Sequence, residues 1–169
     1  MAGTELPDWT EIVELNGQRV FRVAFRVLGS VQDAEDVSQE VFSEAFRLHR
    51  TVHIEKWQGL LVRLATLRSI DHLRRARPSV ELKESDSVSA EEPFQQAVAV
   101  ELASLLRQEI SRLPEQQAAA FVMKYFDHLS HDEIAAALGI PTNSVATALY
   151  KARQRLHDQL TTFTRGVVK

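Results

Sequence analysis

The sequence predicts an all-α protein made of two small helical modules joined by a flexible acidic linker. Three observations predict it. Apolar residues recur at helical spacing in stretch after stretch, no alternating strand pattern or internal repeat interrupts them, and one polar stretch bounded by prolines divides the chain. With 169 residues, 44% hydrophobic and 25% charged, the chain is long enough to bury a core and also long enough to divide. The expected boundaries are a first module at 9–77, a linker at 78–95, a second module at 96–162 and a tail at 163–169.

Val20, Val23, Ala24, Val27 and Leu28 follow the i, i+3, i+4, i+7, i+8 rule of a one-sided helix that should stop near Gly29 and Ser30. A second helix starts there on Ala34, Val37, Val41, Ala45 and Leu48, with Phe42 and Phe46 widening the buried face. A third runs from about Trp57 to Arg75 on Leu60, Leu61, Leu64 and Leu67, ending before Pro78. Between Pro78 and Pro93 the serines Ser79, Ser85, Ser87 and Ser89 stand among acids, which is linker composition. Helical periodicity resumes with Phe94, Val98, Leu102, Leu105, Leu106 and Ile110, breaks at Pro114, and continues through Phe121, Val122, Tyr125 and Phe126.

The most informative local pattern begins at Ser130. Ser130 and Glu133 make an S-x-x-E capping pair, opening a short helix through Ile134, Ala135 and Leu138 that Gly139 can end with a left-handed turn. Pro141 and Thr142 then introduce another helix, whose apolar stripe is Val145, Leu149, Ala152, Leu156 and Leu160. Two helices across a short Gly-containing turn form a helix-turn-helix, with small Ala135 permitting close approach and Val145 filling the angle. A plain helical hairpin is the simpler alternative, since short helices joined by Gly are common. In the helix-turn-helix reading Asn143, Ser144, Thr147, Ala148 and Lys151 face the major groove, with Lys151 and Arg155 near phosphates.

Charge is blocked rather than mixed. The net charge is −3, low for a DNA-binding protein. Yet Asp33 to Glu44 holds five acids and no base, and Arg63 to Arg77 holds five arginines against Asp71. Glu81 to Glu92 carries five acids against Lys83, and Lys151, Arg153 and Arg155 form a second basic block. Alternating blocks predict separate surfaces for separate partners.

Several classes are excluded or unsupported. No run approaches the roughly 18 apolar residues of a membrane helix, and Met1 to Trp9 lacks the basic-then-apolar design of a secretory signal, so a soluble cytoplasmic protein is expected. The absence of cysteine removes disulfides, thiolate metal sites and cysteine nucleophiles. His49 with His53, and His128 with His131, have spacings compatible with a metal but lack a third ligand, so no metal and no cofactor are expected. No acid–base constellation, glycine-rich phosphate loop or G-x-S-x-G word occurs, and the chain is not expected to be an enzyme.

Taken together, Val20 to Arg75 and Val98 to Leu160 resemble region 2 and region 4 of the extracytoplasmic-function (ECF) alternative sigma factors of bacterial RNA polymerase. The resembling words are VFRVAFRVLGSVQDAEDVSQEVFSEAF at Val20 to Phe46, LVRLATLRSIDHLRR at Leu61 to Arg75, and LSHDEIAAALGIPTNSVATALYKARQRL at Leu129 to Leu156. The two stretches, Val20 to Arg75 and Val98 to Leu160, cover about two thirds of the chain, in the expected order and across a linker. The resemblance implies a three- to four-helix region 2 domain and a four-helix region 4 domain with a helix-turn-helix. It implies a protein that binds core RNA polymerase and directs promoter-specific initiation, with promoter DNA and an anti-sigma protein as further partners and no membrane insertion.

Residue by residue, the resemblance implies that Asp36, Gln39 and Glu40 in the word AEDVSQEVF dock on the clamp helices of the polymerase's largest subunit. An acidic helix face over buried aromatics suits a basic protein partner and repels DNA, although an ordinary solvated helix face has the same composition. The third helix and the loop His49 to Lys56 would hold the melted upstream edge of the bubble, through the Trp57 ring and through Arg63, Arg68, Arg74 and Arg75 on phosphates. Trp57, at helical spacing from Leu60 and Leu61, also reads as core. The second domain would read the upstream promoter element as duplex through Lys124 and through Asn143, Ser144, Thr147, Tyr150, Lys151 and Arg155. The linker Ser79 to Glu92 would run near the active-site channel in place of single-stranded nucleic acid.

The sequence departs from the family at two points. Leu67 stands where many members have Asn, and NSVATA at Asn143 to Ala148 stands where a word like GTVKSR with two basic residues is usual. Two contacts worth about 1–3 kcal/mol each are thereby lost if both read bases, so either promoter specificity differs or this domain binds DNA weakly and leans on polymerase. Two other readings stay open at this point: a self-sufficient helix-turn-helix regulator that binds duplex without polymerase, and a helical protein-interaction module that has lost DNA binding.

Overall fold

A computed structural model describes residues 8–76 and 93–167. Among them lie seven helices: α1 (Trp9–Leu28), α2 (Val31–His49), α3 (Trp57–Arg75), α4 (Pro93–Arg112), α5 (Glu115–Tyr125), α6 (His131–Leu138) and α7 (Thr142–Val167). Most of the 78–95 stretch read as linker lies outside the described residues, but its last three positions already open α4.

Each helix boundary has a local cause. Asp8 caps α1 by accepting from the Thr10 N–H at 3.2 Å. Gly29 ends α1 at φ 68°, a left-handed conformation that glycine reaches without cost, and its N–H bonds the Phe25 carbonyl. Ser30 starts α2 at once, its hydroxyl accepting from the Asp33 N–H at 3.3 Å. Pro114, with no N–H to lose, sits between α4 and α5. The S-x-x-E pair forms a complete capping box: the Ser130 hydroxyl accepts from the Glu133 N–H at 3.1 Å, and the Ser130 N–H donates to Glu133 Oε2 at 2.7 Å. The Ser130 N–H, with the Ser130 hydroxyl beside it, holds the Glu133 carboxyl below its usual range.

Between α5 and α6 the chain turns at His128, the one described non-glycine residue with positive φ, at 56°. The Leu129 N–H closes this turn on the Met123 carbonyl at 3.0 Å, so the geometry is that of a helix C-cap where glycine is preferred. His128→Gly should therefore stabilise the chain by about 1 kcal/mol, read as a higher urea midpoint at unchanged slope. A lower midpoint would show that the imidazole contributes more than the strain it carries.

Three cores arise from these helices. The first joins α1, α2 and α3 through Ile12, Val20, Val23, Val37, Val41 and Leu61, with Trp9, Phe42 and Trp57 packed against it. The third joins α5, α6 and α7 through Met123, Ile134, Ala135, Val145 and Leu149. The second is shared: Val27 and Ile70 of the first module are buried with Ile110, Leu113, Val122 and Leu156 of the second. Full burial of a side chain such as Ile70 is worth about 1.5–3 kcal/mol, so the modules dock rather than merely follow each other along the chain.

The central element is α3. It packs on α1 and α2 and also on α4, α5 and α6, so its buried residues Leu61, Val62, Leu64, Ala65, Thr66, Ser69 and Ile70 surround much of its circumference. The expected stripe of Leu60, Leu61, Leu64 and Leu67 is only the part that a single neighbouring core dictates; Leu60 and Leu67 are half-buried.

Candidate nucleic-acid interface

The helix-turn-helix is built as its residue types require. Val145 is fully buried in the angle between α6 and α7, Ala135 is 7% exposed where the helices approach, and Gly139 takes φ 66° after Leu138. Burying Val145, Ala148, Leu149, Ala152 and Leu156 turns the opposite side of α7 outward, and Asn143, Thr147, Tyr150, Lys151 and Arg155 are all exposed there or beside it. Ser144 is half-buried, and Ala148, expected to face the groove, belongs to the buried side. Its position four residues before Ala152 and three after Val145 puts it on the packing stripe. Lys124 is half-buried and donates to the Leu129 carbonyl at 3.4 Å, so it holds the turn into the motif and is not displayed on α7's outer face.

In the first domain the expected DNA-facing arginines divide. Arg63 is exposed. Arg68 is committed to Glu44, with Nε and Nη2 donating to the two carboxylate oxygens at 2.8 and 2.9 Å, and to Asp71 at 3.2 Å. The Glu44 hydrogen bonds raise the Arg68 pKa despite partial desolvation. Arg75 reaches Glu40 at 3.7 Å. Arg74 donates across the domain boundary to the Ser111 and Leu113 carbonyls at 3.2 and 3.0 Å.

These pairs correct the expectation of separate charged surfaces. Glu40 and Glu44 of α2 and Arg68, Arg74 and Arg75 of α3 line one groove, in which Glu44 meets Arg68 and Glu40 meets Arg75; nearer the start of α2, Asp33 lies 3.4 Å from His72. Blocks that alternate along the sequence become neighbours when consecutive helices pack side by side, and opposite charges there neutralise each other. Asp36 and Gln39 also line this groove; Asp36 and Glu40 are exposed and Gln39 is exposed beside them.

In the first domain an aromatic cluster brings together the two ends of the 50–56 loop, His49 and Trp57. Trp9 stacks on His49 at 5.9 Å between ring centroids, and Trp57 meets Trp9 at 6.0 Å and His49 at 5.4 Å. Trp57 is therefore packed against the first core, as its helical spacing from Leu60 and Leu61 allows. The loop between His49 and Trp57 exposes Val52 and His53. His49 is engaged by rings, and among the described residues no group of three His, Asp or Glu is placed to hold a metal. Among the described residues no helix is long and apolar enough to cross a membrane.

Sequence reasoning missed the polar clasp between the domains. Arg107 of α4 donates to the Val27 carbonyl at 2.9 Å, Arg26 of α1 donates to the Phe126 carbonyl at 2.8 Å, and Arg74 makes the two bonds given above. All three thus place a cation at the C-terminal carbonyls of a helix in the other domain, where the helix dipole favours it. Burial pushes the Arg107 pKa down, the mark of a guanidinium taken out of water. Arg26 also lies 3.5 Å from Asp127, whose carboxyl is pushed up by burial and only partly drawn back by Arg26, Arg19 and His128. A carboxyl raised in the folded state contributes stability that is lost as pH rises from its ordinary 3.8 through the folded value. Asp127→Asn should therefore raise the melting temperature at pH 7, by an amount that shrinks toward pH 4; an equal shift at both pH values would contradict this.

Comparison with known proteins follows the same division of the chain. The Sigma-70 region 2 family model matches residues 12–78, and the Sigma-70 region 4 model matches residues 103–156. The chain is 32% identical over 160 residues to the ECF RNA polymerase sigma factor SigE of Mycolicibacterium smegmatis, with 92% of this chain and 62% of that protein covered. It is 30% identical over 168 residues to the ECF RNA polymerase sigma factor SigW of Bacillus subtilis, with 90% and 88% covered. Among solved structures, CnrH in complex with the cytosolic domain of CnrY is similar at a TM-score of 0.57 and 16% identity, covering 91% of this chain and 88% of that one. The sigma factor RpoE of Bartonella quintana, in complex with the anti-sigma factor NepR, gives 0.54 and 16%, covering 91% and 97%. Both likenesses carry the fold, and the self-sufficient regulator is not favoured. With region 2 and region 4 in order on one chain, and with SigW matched over most of its length, the chain belongs to the extracytoplasmic-function family of RNA polymerase sigma factors, alternative sigma factors that direct transcription initiation.

Proposed function

We propose that this chain acts by binding rather than by catalysis: it joins core RNA polymerase through the exposed acids of α2 and brings it to promoters whose upstream element is read as duplex by α7. The observation that carries this reading is a complete helix-turn-helix whose outer face is exposed while the first domain independently presents Asp36, Gln39 and Glu40. The exposed loop between His49 and Trp57, together with the exposed Arg63 of α3, is the part proposed to hold melted DNA. Its site of action is the cytoplasm, where polymerase and promoters are. RpoE of Bartonella quintana was solved with an anti-sigma factor, and we propose a partner of that class for this chain too.

The test is binding measured with labelled chain, core polymerase and a promoter duplex in every combination. The reading expects tight association with core, and tight promoter association only when core is present. Tight duplex binding by the chain alone, or no association with core, would overturn it.

A further inference from the structure

The outer face of α7 has an unusual chemistry for a DNA-reading helix. At 100° per residue, Asn143, Thr147, Tyr150 and Gln154 form one ridge directly opposite the buried stripe Val145, Ala148, Leu149, Ala152 and Leu156. All four are exposed and none is charged. Lys151 and Arg155 lie on one flank of the ridge and Arg153 on the other. Cations on both flanks suit the phosphate walls of a groove, while the neutral crest meets its floor. Asn143 to Gln154 spans about 16 Å along the helix, the length of about five base pairs.

Two details of the crest select a base. Gln154 Nε2 donates to the Tyr150 hydroxyl oxygen at 2.8 Å, one turn earlier on the same helix. That bond restrains the amide and uses one of its two hydrogens, leaving one donor and the Oε1 acceptor for a base. Adenine offers the matching acceptor and donor, N7 and the N6 amino group, whereas guanine offers two acceptors, N7 and O6, one of which would face Oε1. Thr147, whose hydroxyl is occupied by the Asn143 carbonyl at 3.2 Å, retains its methyl for apolar contact with thymine.

We propose that Gln154, locked by Tyr150, is a specificity-determining residue that selects adenine within the upstream promoter element, on a crest that as a whole reads A·T pairs. This rests on the sigma reading above. Lys151, Arg153 and Arg155 supply affinity, and Gln154 supplies discrimination. Where arginines on this crest would take guanines, the amide and hydroxyl groups of this chain take adenine and thymine.

The experiment is transcription by holoenzyme reconstituted from core polymerase and the full chain on a promoter pool randomised across the upstream element, followed by sequencing of the transcribed templates. Wild type, Gln154→Ala and Tyr150→Phe are compared, with melting temperatures confirming that these exposed substitutions leave the fold intact. The expected result is an adenine preference at one position that falls about tenfold in Gln154→Ala, falls less in Tyr150→Phe, and leaves the remaining positions as they were. Base preferences unchanged at every position in Gln154→Ala, or loosened equally at all of them, would overturn the proposal. Failure of the sigma reading looks different, with no template transcribed in a wild-type-dependent way, and would overturn the proposal with it.

Discussion

Replacing Arg74 and Arg107 together by alanine is expected to release the second domain from the first. Arg74 holds the Ser111 and Leu113 carbonyls and Arg107 holds the Val27 carbonyl, so the pair supplies three of the hydrogen bonds that cross the boundary. A hydrogen bond to a charged group is worth about 1.5–3 kcal/mol, and counting one such bond for each arginine, removal of both should weaken docking by about 3–6 kcal/mol. That is two to four orders of magnitude in the docking equilibrium, roughly. The remaining shared contacts, chiefly Val27 and Ile70 against Ile110, Leu113, Val122 and Leu156, form a small core beside a carboxylate, Asp127, whose Oδ2 is buried without a hydrogen-bond partner. Small-angle scattering should show a radius of gyration above the about 16 Å of a compact chain of this length, at unchanged helix content. A radius equal to that of the wild type would mean that the apolar contacts, with the Arg26 bond to Phe126, are enough to hold the domains together. Gly29→Ala acts on the same contact by another route: its Cβ would lie 2.5 Å from Arg107 Nη2, on a backbone already at φ 68°.

Reversing charge on α2 tests the proposed polymerase contact. Asp36→Arg with Glu40→Arg should lower affinity for core polymerase at least about a hundredfold, because like charges set against a basic partner cost several kcal/mol. Both side chains are exposed, so the first core is untouched, although Glu40→Arg also sets a second guanidinium beside Arg75. Asp36→Asn with Glu40→Gln removes the charges without that repulsion and should fall between wild type and the reversal. Equal core affinity for all three proteins would move the polymerase contact off this face.

Much of this molecule is legible in its sequence, and what is not has a common cause. The buried stripes of α1 and α2, the break at Pro114, the capping box at Ser130 and the left-handed turn at Gly139 are local, set by residues within a few positions of one another, and each forms as its spacing predicts. The reading helix follows from the same logic, since burying Val145, Leu149, Ala152 and Leu156 leaves only one face to read with. Helix neighbours are a different matter. No periodicity says that Arg68 will spend its guanidinium on Glu44, that Arg74 will cap a helix thirty-odd positions away, or that Val27 and Ile70 will leave the first core for a shared one. A sharper signal was present in α3: its apolar residues spread beyond one stripe, as they must in a helix buried on two sides. Gln154 lies beyond the first turns of α7, where spacing alone places the groove-facing residues, and its bond to Tyr150 one turn earlier is visible only in the folded helix.

The most direct test of the central claim is run-off transcription by purified bacterial core polymerase on a library of genomic promoter fragments, with and without this chain and with the Asp36→Arg, Glu40→Arg variant. The account predicts transcripts from a defined subset of fragments that require the wild-type chain and disappear with the variant. Core polymerase that initiates identically in the presence and absence of the chain would contradict it.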